Sequence, residues 1–530
     1  MSKLFERLIS VRGVSADFLN PQYDKLANAF DLPDMDKAVT RIVEAVKNGD
    51  HILIYGDYDV DGVTASTVMA DTLKLAGVKA ENIEIMLPDR FADGYGMSSK
   101  ILKRAKKLVI TVDCGSANAE IIQELNAKNI DVIVTDHHEC SEILPPALAV
   151  VNPKRKDYNG FRDLAGVGVA FKVAQALVAK GKIKNGQEKW LLDLVLIGTI
   201  CDNMPLIKEN RILGFYGLKV LEKTRRAGLK ELMLRAGIKK LDSESIGFQI
   251  GPRLNAAGRI ESADISLKLL NATTRAEAAI YADKLEALNK KRKTEQQSAM
   301  TEICARGVND APVIVEVGNW HEGILGIIAG RLVEEFRRPA FVLSAVNDGS
   351  LKGSGRSFGE FNLAEALSNC SDFIINGGGH AGAAGVRVKA ECVEGFCTKI
   401  NDYYKSLKLT NQERFLKEHE DLCTNDLADF NLDLIDELKR LEPFGEGNNE
   451  PIFKLEKMQI MEVKKMGADG KHLSLMVSDG KKHLRLVAFF APENWFNLQY
   501  GEERDILIHV IENEWSGTRS VEGRIVDIML

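Results

Sequence analysis

Residues 130–138, Ile-Asp-Val-Ile-Val-Thr-Asp-His-His, place an aspartate and two histidines directly behind a run of apolar residues. A short apolar run predicts a buried strand, and the polar residues just past its end then lie at one edge of a sheet. Three other acidic clusters follow apolar runs in the same way, at 56–62, 111–115 and 198–202. Four such clusters in one chain indicate a metal site.

The segment 38–205 alternates predicted strands and helices, which is typical of an α/β domain. We expect strands at 51–55, 83–87, 108–112 and 130–135, and helices at 63–76, 98–107 and 117–128. Short apolar strands separated by helices predict a parallel sheet covered on both faces. Ligands of such sheets bind outside the carboxyl ends of the strands, so all four acidic clusters are expected to meet there.

The rest of the chain divides into further units by its pattern. We expect an N-terminal segment at 1–37, a helical connector at 206–305 with a long helix opening at Thr274, a second α/β domain at 306–407, a linker with a helix at 408–449, and a small β-domain at 450–530. Five short strands in the last unit fit a barrel of the OB type, which often binds single strands. A β-domain without a ligand fits the pattern equally well.

Composition places the chain among ordinary globular proteins, with 45% hydrophobic and 28% charged residues. No apolar run approaches the ~20 residues of a membrane span. The eight cysteines include no C-x-x-C pair, which argues against structural zinc and disulfides and suggests a reducing cytoplasm. The net charge of −6 argues against a general polyanion binder, although an acidic protein can contain a basic groove. The basic run 290–293 is typical of a solvated helix face.

The acidic clusters offer ligands that suit hard divalent cations, and imidazole suits Mn²⁺. Asp59 and Asp61 lie two residues apart, Asp57 precedes them, and Asp113 follows another apolar run. A lone aspartate in such a place usually caps a helix or shapes a turn. Several carboxylates packed together would repel one another, and two divalent cations would offset their charge.

Two metal ions held close together usually serve the hydrolysis of phosphate esters by an activated water. The chain contains no P-loop, so an NTP-driven motor is not indicated. Side chains for holding phosphate come from glycine-rich stretches in the second domain and from isolated arginines, although a surface arginine or a glycine-rich turn would have the same appearance. The candidates are Arg90, Arg259, Ser354, Arg356 and His380.

These motifs together resemble the DHH phosphoesterase superfamily. The resemblance rests on Gly56-Asp-Tyr-Asp-Val-Asp-Gly62, Val112-Asp-Cys-Gly115, Asp136-His137-His138 and the later Asp202. Further runs are similar to the bacterial branch of single-strand-specific 5′→3′ exonucleases, over nearly the whole chain. These runs are Pro88-Asp-Arg-Phe91, Arg253-x-Asn-Ala-Ala-Gly-Arg259, His321-Glu-Gly-Ile324, Ser354-Gly-Arg-Ser357, Gly378-Gly-His380 and Pro443-Phe-Gly445.

The resemblance implies a DHH catalytic lobe, a long connecting helix, a DHHA1 lobe and an OB domain, arranged as a ring around single-stranded DNA. It implies two Mn²⁺ or Mg²⁺ ions, 5′-mononucleotide products, and a role in DNA recombination and repair as a cytoplasmic monomer, with a single-strand-binding protein and a helicase as possible partners. By motif position, the metal ligands would be Asp59, Asp61, Asp113, His137 and Asp202. Asp57 would be a further ligand or a nearby support, and Asp136 and His138 would orient ligands or contact the scissile phosphate. Arg90, Arg259, Ser354, Arg356 and His380 would hold the 5′-terminal phosphate and the nearby backbone.

Two departures and two alternatives accompany this resemblance. The chain ends soon after the OB-like region, where some longer relatives carry another domain, and the acidic Glu139 follows the histidine pair. One alternative is a DHH phosphodiesterase acting on oligoribonucleotides or cyclic dinucleotides, although such enzymes are generally shorter and lack an OB-like domain. The other is a non-catalytic single-strand-binding relative, although such proteins lose acidic residues that this chain keeps.

Overall fold

The computed structural model describes residues 1–94, 96–346, 348–409, 419–467, 470–515 and 517–529. Within them, the first domain is built on a five-stranded parallel sheet in the order β2-β1-β3-β4-β5. Its strands are β1 (Ile52–Tyr55), β2 (Ile83–Met86), β3 (Leu108–Val112), β4 (Asp131–Thr135) and β5 (Ala149–Val151). The predicted parallel sheet is confirmed, and β5 is an additional edge strand.

Helices cover both faces of this sheet because successive strand residues point to opposite sides. Ile52 and Ile54 face one core, whereas Leu53 and Tyr55 face another. Two helices precede the sheet, α1 (Lys3–Val11) and α2 (Ala16–Leu19), and their buried residues pack in the core of the C-terminal unit. The helices that cover the sheet are α3 (Met35–Asn48), α4 (Val60–Leu75), α5 (Ala119–Ala127), α6 (Gly166–Ala179) and α7 (Leu192–Cys201). The buried helices α4, α6 and α7 pack in the first of these cores.

Two expectations for this domain are wrong. The helix predicted at 98–107 is only a 3₁₀ segment, Ser99–Lys103, because a stretch dense in lysines buries little besides Ile101. The cluster at 198–202 does not follow a strand, since the apolar run before Asp202 forms helix α7, which is buried on nearly all sides. A short run of apolar residues cannot distinguish a buried strand from a buried helix.

A helical connector leads from this domain to the second one. It contains α8 (Lys208–Leu221), α9 (Ala227–Ala236), α10 (Ser243–Ser245), a π-helical turn at Ile246–Ile250, α11 (Gly251–Ile260), α12 (Asp264–Asn271) and α13 (Arg275–Arg306). Thr274 caps the 32-residue helix α13 through the backbone N–H of Glu277, as the sequence predicts. Its first half packs on the catalytic core through Leu285, and its last turns pack on the second domain through Ile303.

The second domain contains a mixed sheet in the order β6-β7-β8-β10-β9. Its elements are β6 (Ile314–Gly318), α14 (Leu325–Phe336), β7 (Ala340–Ala345), β8 (Ser350–Arg356), α15 (Leu363–Ser368), β9 (Ile374–Gly379), β10 (Ala383–Lys389) and α16 (Val393–Ser406). The two glycine-rich stretches are therefore largely strands, with residues 380–382 connecting β9 to β10. Gly353 and Gly355 leave room for the side chains of Leu343 and Phe341, which a Cβ atom would approach to 2.1 and 2.5 Å.

The C-terminal unit is a closed barrel, which confirms the predicted OB type. Residues 410–418, at the centre of the predicted linker, lie outside the described residues. Beyond them come β11 (Leu422–Thr424), α17 (Leu432–Leu438), β12 (Phe453–Met466), β13 (His472–Ser478), β14 (His483–Ala488), β15 (Glu503–Trp515) and β16 (Thr518–Met529). The barrel closes because β12 pairs with both β13 and β15. Among the described helices, none is long and apolar enough to cross a bilayer.

Candidate metal centre and phosphate pocket

The acidic motif after β1 bends directly into helix α4. Asp59 is the N-cap of this helix, and its side chain accepts a hydrogen bond from the backbone N–H of Gly62 at 3.0 Å. Asp57 is buried just before it. Asp61 lies in the first turn, and its two carboxylate oxygens accept the backbone N–H groups of Gly166 and Val167 at 2.6 and 2.9 Å. The N-terminus of α6 therefore fixes the carboxylate of Asp61.

Asp113 follows β3 in a strained backbone conformation. Its φ of 60° lies in the left-handed region, which non-glycine residues rarely adopt. Its backbone N–H bonds to the carbonyl of Thr135 at 3.0 Å, which continues the pairing of β3 and β4. A Cβ atom at Gly166 would lie 2.6 Å from the Cβ of Asp113, so only glycine fits where α6 begins.

The aspartate and two histidines after β4 form a compact hydrogen-bonded unit. Oδ1 of Asp136 accepts from the backbone N–H groups of His137 and His138 and lies 2.9 Å from Nδ1 of His138. Its Oδ2 accepts from the backbone N–H of Ser116 at 2.9 Å. Asp136 is thus occupied in orienting the two histidines.

His137 faces the carboxylates of the other clusters. Its Nε2 atom lies 3.0 Å from Oδ1 of Asp113, 3.5 Å from Oδ2 of Asp202 and 3.7 Å from Oδ2 of Asp61. Asp202 reaches the site from the C-terminal end of α7. Although Asp202 follows a helix, it joins the sheet-edge carboxylates.

The ligand atoms cluster in three overlapping groups, within each of which all atoms lie within 4.8 Å of one another. These groups are Asp57, Asp59 and Asp113; Asp61, His137 and Asp202; and Asp113, His137 and His138. Because the groups share Asp113 and His137, these residues would be able to hold two neighbouring divalent cations. These groups contain seven of the eight acidic and imidazole residues predicted for the site, and the eighth, Asp136, joins them through its hydrogen bond with His138.

Unpartnered carboxylate oxygens show that this donor set fits divalent cations. Among the described residues, Oδ1 of Asp57, Oδ1 of Asp113 and Oδ2 of Asp202 are buried without a hydrogen-bond partner. Burial, followed by the neighbouring carboxylates, raises the pKa of Asp61 to about 7 and of Asp202 to about 9. Burial and the same repulsion raise the pKa of Asp57 and Asp113. Bound cations would give the unpartnered oxygens a partner and would offset the repulsion between the carboxylates.

The two histidines have opposite protonation tendencies. Burial, with the charge of His138, lowers the pKa of His137 to about 4, so its imidazole is neutral and suited to ligation. Burial opposes protonation of His138 as well, but the hydrogen bond and charge of Asp136 raise the pKa of His138 to about 9. Despite burial, the bonds from His138 and Ser116 keep the pKa of Asp136 well below its ordinary value. The pair therefore combines a neutral imidazole, His137, which can ligate a metal ion, with a protonated imidazolium, His138.

Three predicted phosphate ligands converge beside the acidic cluster. Burial, followed by the charges of Arg90, Arg292 and Arg356, lowers the pKa of Arg259 to about 9. Arg90 lies 4.9 Å from the ring centroid of Tyr58, within the first acidic motif. Arg259 donates to the carbonyl of Gly323 at 3.1 Å and thereby connects the helical connector with the second domain. Like charges held this close form a ready site for an anion.

Arg356 and Ser354 form the second domain's side of this pocket. The Nη1 atom of Arg356 donates to Oγ of Ser354 at 3.1 Å and to the carbonyl of Gly355 at 2.8 Å. A Cβ atom at Gly326 would lie 2.8 Å from Nη2 of Arg356, so the first turn of α14 packs directly on the guanidinium. A helix N-terminus beside arginines favours an anion.

His380 is less firmly placed than the arginines. It is exposed between β9 and β10, three residues before Ala383, which pairs with Arg356 across the sheet. Its backbone N–H bonds to the carbonyl of Ala383 at 2.8 Å. None of the hydrogen bonds within the described part of the chain involves its imidazole, so its role stays a prediction.

Several residues of the site escaped the sequence analysis. Ser116 contributes only a backbone N–H, and Gly166 contributes a backbone N–H and the lack of a side chain, so neither carries a chemical signal. Arg292 lies in the basic run that we interpreted as a solvated helix face, yet it is partly buried near Arg259. The only hint in the sequence is that Arg292 is the one arginine in a run otherwise made of lysines.

The sheet edge rich in carboxylates, together with an arginine pocket built from the first domain, the helical connector and a second α/β domain, defines a phosphoesterase of the DHH class. Residues 51–199 match the family model described as the DHH family, N-terminal domain, residues 310–406 match the DHHA1 domain, and residues 423–527 match the RecJ OB domain. The chain belongs to the RecJ family of single-stranded-DNA-specific exonucleases. These matched ranges do not fix the domain boundaries, which stay predictions.

Relatives in several bacteria support this membership. The chain is 37% identical to RecJ of Bacillus subtilis over 97% of its own length and 64% of the relative's. It is 31% identical to RecJ of Salmonella typhimurium over 99% of its length and 95% of the relative's. Its fold superimposes with a TM-score of 0.86 and 29% identity on a crystal structure of RecJ with Mn²⁺ from Thermus thermophilus, covering 99% of this chain and 76% of that one.

Proposed function

We propose that this chain is a metal-dependent 5′→3′ exonuclease that hydrolyses single-stranded DNA to 5′-mononucleotides in recombination and repair. One observation carries the proposal: a cluster of largely buried carboxylates lies directly beside a cluster of half-buried arginines. Burial lowers the pKa of Arg259 and the charge of Asp59 opposes that shift, whereas burial raises the pKa of Asp57 and the charge of Arg90 opposes it, so the two clusters lie close together. A phosphodiester backbone needs this combination, because its terminal phosphate requires cations while its cleavage requires metal ligands.

The ligands that we propose for two Mn²⁺ or Mg²⁺ ions are Asp59, Asp61, Asp113, His137 and Asp202. The orphaned oxygens of Asp113 and Asp202 and the neutral imidazole of His137 support this assignment. Bound ions of this kind supply an activated water and stabilise the attacking and leaving oxygens of an in-line displacement. The RecJ of Thermus thermophilus has been crystallised with Mn²⁺ and with Mg²⁺.

The remaining residues of the acidic site have supporting roles in this proposal. Asp136 orients His138 and keeps it protonated, so that its imidazolium can contact an oxygen of the scissile phosphate. Asp57 is a further ligand or a neighbouring support, since one of its oxygens is buried without a partner among the described residues. Supporting residues of this kind orient, or keep protonated, the groups that would contact the metal ions or the reacting phosphate.

The arginine pocket would set the polarity of digestion. Arg90, Arg259 and Arg356, with Ser354 and His380 at its rim, would hold the 5′-terminal phosphate while the next phosphodiester lies over the carboxylates. A guanidinium can contact a phosphate through two parallel hydrogen bonds, which adds geometric specificity. The OB barrel would bind the strand further from its 5′ end. We further propose a monomer in the cytoplasm, assisted by a single-strand-binding protein and a helicase.

The test is digestion of end-labelled single- and double-stranded DNA with Mn²⁺, Mg²⁺ or a chelator. We expect metal-dependent release of mononucleotides from the 5′ end of the single strand, little digestion of blunt duplex, and none with the chelator. Dinucleotides and short oligoribonucleotides serve as competing substrates. A preference for those substrates, or equal digestion from 3′ ends, would show that the proposal is wrong.

A further inference from the structure

An exposed phenylalanine lies on the helix face that carries Arg259. Phe248 is in the π-helical turn Ile246–Ile250, and 76% of its surface is exposed. Positions 248, 252, 255 and 259 are spaced four, three and four residues apart, which places them on one side of a continuous helix. None of these four is buried, whereas their neighbours at 246, 250, 253 and 256 are. Because Arg259 on this face reaches the arginine pocket, the same face extends from that pocket to Phe248.

The π-helical turn also lies between the metal centre and the OB barrel. A Cβ atom at Gly251 would lie 2.5 Å from Sγ of Cys201, the residue before Asp202. At the other end, Glu244 of helix α10 pairs with Arg524 of strand β16 at 3.2 Å. Phe248 is therefore four residues from a contact with the barrel and three residues from a contact beside the metal centre.

The ring of Phe248 is not needed to hold the π-helical turn in place. Ile246 and Ile250 bury their side chains in the catalytic core, so the turn is anchored without Phe248. π-Helical turns are rare and are frequently found at functional sites. A large exposed ring held on an anchored, irregular helical turn is suited to stacking, because every nucleobase offers a flat face.

We propose that Phe248 stacks on a nucleobase of the strand as it passes from the OB barrel to the metal centre, and so acts as a positioning residue. This inference rests on the proposed function. The eleven residues from Phe248 to Arg259 span roughly 16 Å of helix, which corresponds to about five nucleotides at the 3.4 Å spacing of a stacked strand. We therefore place the stacked base between the second and sixth nucleotides from the 5′ end.

The experiment uses the full chain with a chelator present, so that DNA binds without being cleaved. Single strands carry one 2-aminopurine at each of positions two to six, because the fluorescence of this base falls when it stacks on a ring. Wild type is compared with Phe248→Ala, with Phe248→Trp and with Ile280→Ala, which removes another exposed apolar side chain from helix α13. The same variants are then assayed for digestion with Mn²⁺.

We expect one position whose fluorescence falls with wild type and Phe248→Trp and stays high with Phe248→Ala. In digestion, Phe248→Ala should raise KM about tenfold, as expected for one lost stack, with a smaller change in kcat, and Ile280→Ala should match wild type. Equal fluorescence for wild type and Phe248→Ala at all five positions would overturn the inference. Absence of digestion by wild type, with position-specific quenching retained, would instead overturn the proposed exonuclease function and leave the stacking supported.

Discussion

His137 Nε2 lies 3.0 Å from Oδ1 of Asp113, so the second and third acidic motifs meet at a single point. Replacing Asp113 with alanine removes a carboxylate that belongs to two of the three ligand groups. We expect Mn²⁺-dependent release of nucleotides to fall by at least about a hundredfold, because both cations would lose a ligand. Binding of single-stranded DNA, measured by fluorescence anisotropy, should largely persist. If the variant digests DNA normally, Asp113 is not a metal ligand.

Asp136→Asn tests the supporting role of the buried carboxylate behind the histidines. The amide keeps the size of the side chain but loses the charge that holds His138 protonated and oriented. We expect the Mn²⁺ concentration for half-maximal activity to rise roughly tenfold to a hundredfold. Asp163→Asn is the matched control, since Asp163 is more exposed and its side chain pairs with Lys154 at 3.1 Å. Equal Mn²⁺ requirements for both variants would argue against a supporting role.

Arg356→Ala tests the recognition of the 5′ end. Loss of charge-assisted hydrogen bonds worth about 1.5–3 kcal/mol should lower kcat/KM on 5′-phosphorylated strands by roughly tenfold to a hundredfold. The variant should gain little from a 5′-phosphate, whereas wild type should prefer phosphorylated over 5′-hydroxyl strands. Arg331→Ala is the control, because Arg331 is on the same helix that packs on Arg356 but pairs with Glu334 at 2.9 Å. If Arg356→Ala still prefers phosphorylated over 5′-hydroxyl strands, Arg356 does not bind the 5′-phosphate.

The turn at Asp479, between β13 and β14 of the barrel, predicts a local dependence of stability on pH. Burial opposes ionisation of Asp479, but the backbone N–H groups of Leu427, Lys482 and Lys481, each at 2.8 Å, lower the pKa of its carboxyl from 3.8 to about 2. A carboxyl whose pKa is lower in the folded state stabilises that state above about pH 4, and the contribution disappears as the pH falls through about 2.

We therefore expect Asp479→Ala to speed amide hydrogen exchange at Leu427 and Lys482 roughly tenfold at neutral pH, for a loss of about 1.4 kcal/mol. The difference from wild type should shrink towards pH 2, after correction for intrinsic exchange. Asp527→Ala is the control, because the Asp527 side chain is exposed on the same barrel and accepts only the N–H of its neighbour, Ile528, among the described hydrogen bonds. A difference that does not change with pH would contradict the assignment.

The sequence predicted the elements whose pattern is local. Strands β1, β3 and β4 and the long helix α13 were evident because periodicity and capping are properties of neighbouring residues. Asp202 was placed correctly in the site for a partly wrong reason, since its apolar run forms a helix and not a strand. Local pattern could not reveal that α6 presents its N-terminus to Asp61, because Gly166 and Val167 contribute only backbone.

The phosphate pocket was predictable only in part for the same reason. Arg259 and Arg356 are far apart in sequence, and their approach depends on how two domains pack around α13. The glycines of β8 suggested a close approach to a ligand, whereas Gly353 and Gly355 accommodate side chains from the adjacent strand β7. Glycine marks close approach, but the sequence does not say what approaches.

The length of helix α13 fixes how the second domain, which carries Arg356, is rotated relative to the first domain, which carries the acidic cluster. Residues 290–298 of this helix include no buried residue and lie between the turn at Leu288, in the catalytic core, and the turn at Ala299, in the core of the second domain. Inserting one residue there would rotate everything beyond it by about 100°, whereas inserting seven would add two turns and leave about 20° of rotation. Apart from Arg292, which lies near Arg259, this middle stretch of the helix is therefore freer to vary in composition than in length.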